Sequence, residues 1–488
     1  MLPKAAKLPP GPRTPALWQT LSWLLNTTQF LERCAHRYGP IFTARIIGFG
    51  TSIMIADSGA AREVFSAGPE VVGVTHSKHF LPLVGPSSLF MLQGEPHRRQ
   101  RRRLLAVLQR DHIQAQGPLI VELTDAALDS WPLGARFSAH AALRELSLQL
   151  ILRMVLGAES PARLAALARL LTAGVRIAET PAMLIPLHLQ QRLGRWTPWS
   201  KIRRLISEMD GLLYQEIAAR RARGAGSGGD ILSLLLQLPG DGMQGPLTDG
   251  ELRDQIVTLI VAAHDTTATT LTWALHWLLA DPALCVRLQR EVRRGEAPLD
   301  PEHLAGLPLL DALVRETLRL SPAFPVVGRE LKRPLRLLEH ELPAGVRVVP
   351  CPYLAQRDGQ SFAEPLQFRP ERFLHQRPRP EQWFPFGGGF ARCVGMELAL
   401  YEMKLILGVI LARAALERAP GPPTRPTLRF FSLIPGGGLP VVLRSRSRPP
   451  RRAAALGSKP APDELDLEPL PTLGRCHQIA PDELEEER

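Results

Sequence analysis

The chain has 488 residues, 45% of which are hydrophobic, and a formal net charge of +12. A chain of this length usually forms two or three domains, and its apolar fraction is ample for a large buried core. Five scattered cysteines without a CxxC pair argue against a disulfide framework and indicate a reducing cytoplasm. Abundant Ala, Leu and Arg favour a bacterial source.

No membrane anchor is predicted at the N-terminus. Residues 1–7 precede a proline-rich segment at residues 8–12. Nothing before that segment approaches the roughly 20 apolar residues of a membrane span. We therefore expect a cytoplasmic protein without a transmembrane anchor.

Helical periodicity dominates the middle of the chain, from residue 141 to residue 320. The Gly/Ser-rich stretch at residues 223–229 is short and predicts a surface loop between helices rather than a domain linker. We therefore expect a mostly α fold with small β-sheets (α+β), in one large domain at residues 1–444. Strand-like runs are short and lie near residues 41–55, 331–350 and 427–443.

A run of arginines occupies residues 94–105. His97 and Arg101 are four residues apart and share one helical face, whereas the other arginines project elsewhere. Taken alone, the run is typical of a solvated basic face or of a nucleic-acid-binding patch.

A long apolar segment with polar residues in its middle spans residues 256–279. Hydrophobic residues occur almost all round it, which predicts a buried helix. Asp265, Thr266 and Thr267 interrupt it where their helix propensity is poor. Their hydroxyls can bond back to carbonyls four residues earlier and bend the helix, or the group can be functional. We interpret His264 as a packing or surface histidine, not a ligand.

A second helical pattern covers residues 309–320 and ends before Pro322. Glu316 and Arg319 lie one turn apart on one face of it, where a carboxylate and a guanidinium can pair. By itself this is typical of an exposed ion pair that contributes a few tenths of a kcal/mol.

The glycine-rich loop at residues 384–395 precedes an apolar-periodic segment at residues 396–416. Cys393 therefore sits just before a helix, whose N-terminal amides stabilise a thiolate, and a thiolate is a soft anionic metal ligand. The alternative is a small buried hydrophobic residue after a glycine turn.

The last residues, 445–488, carry seven Lys/Arg and nine Asp/Glu and are rich in Pro and Ala. The segment begins basic, ends acidic and repeats Ala-Pro-Asp-Glu-Leu. This composition predicts a disordered charged tail.

The loop resembles the haem-binding loop of the cytochrome P450 superfamily, whose pattern is Phe-x-x-Gly-x-Arg-x-Cys-x-Gly. Phe386, Gly389, Cys393 and Gly395 match it. The arginine of the pattern is replaced here by Ala391, so its usual contact with a haem propionate is not carried over to the neighbouring arginine. The resemblance covers roughly residues 8–444.

The resemblance implies a single cytochrome P450-like domain that binds haem b, with Cys393 as the axial ligand of the iron and Phe386 beside the cofactor. A thiolate ligand favours O–O cleavage and so implies oxygen activation. The further site residues implied by similar motifs are a proton-delivery pair, Asp265 and Thr266; a structural triad, Glu316, Arg319 and Arg372; and propionate contacts, His97, Arg101 and Arg329. The substrate pocket implied by the family's segments is apolar: Leu89, Phe90, Ala262, Ala263, Val326, Val327 and Leu433.

The function implied by the resemblance is a monooxygenase that hydroxylates or epoxidises a small, largely apolar substrate with O2, in bacterial secondary metabolism. No reductase domain fits in the chain, so we expect electrons from a separate ferredoxin or flavodoxin, which the basic surface attracts. The first alternative is a peroxygenase or peroxide-rearranging enzyme, which the intact Asp265 and Thr266 pair disfavours. The second alternative is a non-catalytic haem or nucleic-acid binder. Such a protein would lack the oxygen-activation motif, which this sequence contains, so we expect no nucleic-acid partner.

Overall fold

The computed structural model describes residues 8–75, 81–157, 159–178, 197–224, 229–239, 245–294, 299–375, 378–429 and 431–447. Helices predominate over strands in these ranges, as the sequence predicts. The helices are α1 (Ala16–Leu25), α2 (Thr27–Tyr38), α3 (Ser58–Ser66), α4 (Leu81–Val84), α5 (Gly94–Val107), α6 (Arg110–Ala115), α7 (Gly117–Ser130), α8 (Ala139–Leu156), α9 (Pro161–Ala178), α10 (Pro198–Ala222), α11 (Ile231–Gln237), α12 (Asp249–Ala280), α13 (Pro282–Val292), α14 (Pro301–Gly306), α15 (Pro308–Leu320), α16 (Pro352–Ala355) and α17 (Met396–Arg413).

The strands form small sheets. The strands are β1 (Ile41–Ile46), β2 (Gly50–Ile55), β3 (Val72–Val74), β4 (Arg136–Ser138), β5 (Arg329–Leu331), β6 (Leu335–Leu337), β7 (His340–Leu342), β8 (Arg347–Pro350), β9 (Ala414–Arg418), β10 (Pro426–Arg429), β11 (Ser432–Pro435) and β12 (Pro440–Arg446). The largest sheet has the order β1-β2-β8-β5-β3, in which β2 and β8 are parallel and the other pairs are antiparallel. A second sheet has the order β4-β12-β9, and β6-β7 and β10-β11 are two-stranded.

Helix α12 runs through the main apolar core. It begins with a capping box, in which Thr248 Oγ1 accepts from the Glu251 amide and the Glu251 carboxylate accepts from the Thr248 amide. Its 32 residues give a length of about 48 Å. Buried residues occur on every side of the helix, and α8 packs alongside it. At its centre His264 and Thr267 are buried, whereas Asp265 and Thr266 are half-buried.

Helix α15 packs against α17, the helix that follows the cysteine loop. α15 ends at Leu320, and Pro322 follows, as the sequence predicts. The loop contacts α3 through Phe65, whose ring lies 5.4 Å from that of Phe384. This packing links the largest sheet, through α3, to the start of α17.

Strand β12 extends two residues past the boundary predicted at residue 444, because Ser445 and Arg446 pair with Ala415 and Ala414 of β9. The rest of the predicted charged tail, residues 448–488, lies outside the described residues. Most of the predicted glycine-rich surface loop at residues 223–229 also lies outside them.

Candidate haem-thiolate site

The cysteine loop requires glycine where it passes α3. Gly387 and Gly389 both have φ of +66°, in the left-handed region that favours glycine. A Cβ atom on Gly389 would lie 1.9 Å from the Phe65 carbonyl oxygen, so no larger residue fits there. The Cys393 amide then donates to the Phe386 carbonyl at 3.0 Å. This bond turns the chain and sets the thiol just before α17.

The Cys393 thiol differs from the other cysteines that the structure describes. Cys34, Cys285 and Cys351 are buried, and desolvation raises their thiol pKa values to about 11, 11 and 12. Cys393 is exposed. Desolvation by surrounding protein still raises its pKa, while the Gly395 amide, Arg101 and Arg392 lower it. Accessibility together with desolvation is expected of a sulfur at the bottom of a recess, where a bound cation would stabilise the thiolate.

Helix α5 contacts the loop through two of the predicted site residues. Arg101 Nη1 donates to the Arg392 carbonyl, next to Cys393. Desolvation lowers the pKa of Arg101, and Cys393 acts in the opposite direction. One turn earlier, the buried His97 ring meets Phe390 edge to face at 6.1 Å. The side chain of Arg392 is exposed and points to the Met396 sulfur at 2.8 Å.

Arg329, at the start of β5, is a buried cation whose hydrogen bonds are incomplete. Its Nη1 donates to the Gly328 carbonyl at 2.9 Å, and its guanidinium lies over the Phe65 ring at 5.5 Å. Its Nη2 is buried and has no hydrogen-bond partner among the residues that the structure describes. Burial lowers the pKa of Arg329 to about 10. A buried donor without a partner fits a site that accepts an anionic group such as a haem propionate.

The predicted structural triad comes together around a fully buried carboxylate. Arg319 donates to both oxygens of Glu316, at 2.7 and 2.9 Å, and Arg372 Nε donates to one of them at 3.0 Å. The Arg369 amide adds a further bond of 2.7 Å to Glu316. Every oxygen of this carboxylate is therefore satisfied within the protein.

Gln356, which the sequence analysis missed, joins this cluster to the cysteine loop. Its side-chain amide donates to the Arg319 carbonyl at 3.1 Å and accepts from the Phe384 amide at 2.9 Å. The main-chain carbonyl of Gln356 accepts a hydrogen bond from Arg319 Nη1 at 2.8 Å. Nearby, Trp383 Nε1 donates to the Arg315 carbonyl at 3.1 Å. A buried loop glutamine has no periodic signal, so sequence patterning does not reveal this link.

The polar residues of α12 have partners on two sides. Thr266 Oγ1 donates to the carbonyls of Ala262, at 2.8 Å, and Ala263, at 3.2 Å. Asp265 forms an ion pair with Arg144 Nε of α8 at 3.1 Å. His264 is buried, with its Nδ1 3.2 Å from the Ile260 carbonyl oxygen. The predicted hydrogen bond from a hydroxyl to a carbonyl four residues earlier thus occurs at Thr266, whereas Asp265 pairs with an arginine of another helix.

The α8 side of this contact was not predicted from the sequence. His140 and Arg144 are one turn apart in a helix whose other residues are largely apolar, which is a detectable signal. Burial lowers the pKa of His140 to about 4, while Asp265 acts to raise it. His140 Nε2 lies 3.5 Å from Thr269 Oγ1. A group of titratable side chains therefore surrounds the α8–α12 contact at Asp265.

The seven predicted pocket residues belong to different parts of the core. Leu89 is buried in the main helical cluster, and Ala263 of α12 packs against that cluster, whereas Phe90 is 40% exposed. Ala262 is half-buried on α12. Val327 packs against the cluster of the largest sheet. Val326 and the buried Leu433 belong with the cluster that includes Trp23 and Phe30.

Comparison with known proteins gives one consistent family. The family model described as Cytochrome P450 matches residues 9–439. The putative cytochrome P450 135B1 of Mycobacterium tuberculosis is 37% identical over 444 residues, covering 90% of this chain and 92% of the relative. The putative cytochrome P450 137 of the same species is 32% identical over 455 residues, covering 91% and 92%.

Solved structures share the fold. The retinoic acid bound cyanobacterial CYP120A1 has a TM-score of 0.79 at 26% identity, covering 91% of this chain and all of that chain. The haem domain of cytochrome P450DA has a TM-score of 0.77 at 22% identity, with 91% and 98% covered, which shows the fold alone. The fold class, enzyme class and cofactor implied by the sequence motifs are confirmed. The chain belongs to the cytochrome P450 family of monooxygenases, which bind haem b.

Proposed function

We propose that this protein hydroxylates or epoxidises a small, largely apolar molecule, using O2 and electrons from a separate ferredoxin- or flavodoxin-type donor. The observation that carries the proposal is the accessible Cys393 thiol at the start of α17, held by the loop bond from its own amide to Phe386. Its surroundings disfavour the free thiolate by desolvation, which a bound iron would offset.

In this proposal the chain's own residues hold the cofactor at three places. Cys393 would bind the iron, and Nη2 of Arg329, which has no hydrogen-bond partner among the described residues, would donate to a propionate. His97 and Arg101 of α5 border the same region through Phe390 and the Arg392 carbonyl, and Phe386 lies beside it. Haem with a thiolate ligand supplies the oxygen-activating chemistry when it is bound.

Asp265 and Thr266 are proposed to deliver protons. If the Thr266 hydroxyl turned away from the Ala262 carbonyl, it could accept a proton on its oxygen while donating its own proton onward, and Asp265 lies next to it in the chain. Arg144 holds the Asp265 carboxylate in place from α8. Asp265 and Thr266 are half-buried beside the buried His264 and Thr267, and protons are proposed to pass through these two side chains.

The proposed substrate class rests on the apolar character of the predicted pocket: Leu89, Phe90, Ala262, Ala263, Val326, Val327 and Leu433. The related CYP120A1 was solved with retinoic acid bound. Most of that molecule is apolar, which is the character proposed here for the substrate.

The test of the cofactor proposal is the spectrum of the ferrous protein with carbon monoxide. The wild type should show the strongly red-shifted Soret band of thiolate ligation, and Cys393→His should abolish it. Cys285→Ala, at a buried cysteine with no proposed role, is the matched control and should keep the band. A wild-type spectrum of the histidine-ligated type would overturn the proposal.

Thr266→Ala tests the proton proposal. It should lower the product formed per electron consumed and raise hydrogen peroxide, because protons no longer reach the reacting oxygen in a directed way. Thr272→Ala is the control, since Thr272 Oγ1 makes the same kind of bond, to the Ala268 carbonyl at 2.6 Å. An unchanged yield removes Thr266 from the mechanism. Product formation with peroxide alone, without an electron donor, would favour the peroxygenase alternative.

A further inference from the structure

Helix α1 carries its apolar side outward. Its buried residues are Gln19 and Trp23, and the Gln19 side chain bonds inward to the Thr14 carbonyl at 2.7 Å and to the Arg45 amide at 2.8 Å. At 100° per residue, the outward apolar residues fall within about 120° of the helix circumference. They are between 39% and 75% exposed: Leu17, Trp18, Leu21, Leu24 and Leu25.

The apolar surface continues beyond the helix. The Ile47 amide donates to Thr20 Oγ1 at 2.9 Å, which places the turn between β1 and β2 against α1. Ile47 and Phe49 in this turn are 58% and 41% exposed. The Phe49 ring meets that of Phe431 at 6.2 Å, and Phe431 is also exposed. We call these eight residues, the five of α1 with Ile47, Phe49 and Phe431, the N-terminal apolar patch.

Exposed large hydrophobic residues are concentrated in this patch. It contains eight of the seventeen that occur among the residues the structure describes. Single exposed hydrophobic residues are ordinary, whereas a contiguous group marks a surface that binds another molecule or a membrane.

The charge around the patch is positive. Residues 8–55 contain four arginines and one acidic residue. That acid, Glu32, accepts a hydrogen bond from the Tyr353 hydroxyl at 2.6 Å. Arg13 and Arg45 are exposed, and Arg347, which pairs across the sheet with the exposed Glu330, lies over the Phe49 ring at 5.5 Å. A surface that combines apolar residues, an exposed tryptophan and a basic surround is complementary to anionic lipid headgroups over acyl chains.

We propose that the N-terminal apolar patch docks this protein on the surface of an anionic lipid bilayer. α1 lies in the plane of the interface, because its ten residues are about half the length of a span. In the described part of the chain no helix combines the length and apolar character needed to cross a membrane. This docking does not depend on the substrate or the reaction proposed above.

The experiment is co-sedimentation of the full-length haem-loaded protein with vesicles. One set contains phosphatidylcholine with about 30% phosphatidylglycerol and the other phosphatidylcholine alone, each at about 0.1 M and 0.5 M salt. We expect binding to the anionic vesicles that weakens at high salt. Leu21→Glu combined with Leu25→Glu should weaken it at least about tenfold, since two leucines no longer enter the lipid. The matched control is Leu366→Glu, at a residue 71% exposed outside the patch, which should bind as the wild type does.

Two results would overturn the proposal. The first is an absence of binding to the anionic vesicles, or binding that the patch variant does not weaken. The second is a wild-type dimer in sedimentation velocity that the patch variant dissociates, which would assign the patch to a second copy of the chain. The carbon monoxide spectrum of each variant serves as the folding control, and it reports on Cys393 separately from membrane binding.

Discussion

Two buried arginines of this molecule differ in how many hydrogen-bond partners the protein provides for them. Arg319 of α15 is fully buried and donates to both oxygens of Glu316 and to the carbonyls of Gln356, Pro365 and Gln367. Arg329 of β5 is 4% exposed, bonds to one backbone carbonyl and keeps a buried Nη2 without a partner.

The difference separates a structural ion cluster from a ligand site. A buried charge is tolerated only when partners replace the water that it has lost. Arg319 obtains all of its partners from the protein, so its cluster is complete before any cofactor binds. Arg329 does not, which is the state expected of a cation that awaits an anionic ligand.

The largest effect is expected from breaking the complete cluster. Glu316→Ala leaves Arg319 buried without its counter-ion and should lower the free energy of unfolding by about 3–5 kcal/mol, or abolish soluble expression. Glu208→Ala, in the exposed i,i+4 pair with Arg204, is the control and should cost less than about 0.5 kcal/mol. Chemical denaturation of both variants measures the difference. A loss at Glu316 no larger than that of the control would show that the cluster is dispensable.

Arg329→Met should act on haem retention instead. Losing a charge-assisted hydrogen bond should speed haem transfer to an apoglobin acceptor by about tenfold to a hundredfold. The apoprotein should be as stable as the wild type or more so, because an unsatisfied buried cation has been removed. Arg333→Met, at an exposed position just after β5, should change neither quantity.

Arg101→Ala should likewise speed haem loss, and Ala391→Arg should slow it or leave it unchanged. If neither Arg329→Met nor Arg101→Ala loses haem faster than the wild type, the propionates are held by other residues, and Arg392 is the first of these to test.

Gln356→Leu tests whether the complete cluster supports the cysteine loop. It removes the bonds to Arg319 and to Phe384 and leaves buried backbone groups unpaired, which should cost about 1–3 kcal/mol. The fraction of ferrous protein with the red-shifted carbon monoxide band should also fall, which a loss of stability alone would not cause. The exposed Gln360→Leu is the control. A destabilised variant with an undiminished band would limit Gln356 to a structural role.

Glu402 of α17 extends the comparison to a buried acid. Its Oε1 has no hydrogen-bond partner within the described ranges of the chain, and burial raises the pKa of Glu402 to about 8. A carboxyl group escapes the cost of burial by keeping its proton, which a guanidinium cannot do.

The stability contribution of Glu402 therefore depends on pH. The unfolded chain releases this proton near its ordinary pKa, about 4.5, whereas the folded protein keeps it up to about pH 8. The folded state binds more protons over that window, so stability should fall as pH rises, by up to about 1.4 kcal/mol per pH unit. Glu402→Gln should remove this slope. Its stability relative to the wild type should therefore be greater at pH 8 than at pH 5. Glu397→Gln, exposed on the same helix, should keep the slope in melting temperatures measured across the window.

Local pattern was enough to predict the elements that carry the site. The apolar run at residues 256–279 lies within α12, and the pattern at residues 309–320 is α15. The segment predicted at residues 396–416 forms α17 up to Arg413, while its last three residues belong to β9. These segments are specified by periodicity, by proline and by glycine, which act over a few residues. The resemblance of the cysteine loop to a known family added the cofactor, because the loop motif is itself local.

Only the tertiary structure decided which distant groups meet. Arg372 reaches Glu316 across 56 positions of the chain, and Arg144 reaches Asp265 from another helix. Gln356 bonds to Phe384 and Arg319 from a loop without periodicity. The outward apolar face of α1 also becomes apparent only once Gln19 is seen to bond inward. The helical period identifies a face of an element, but the chain's packing determines what that face meets, because long-range contacts have no repeat in the sequence.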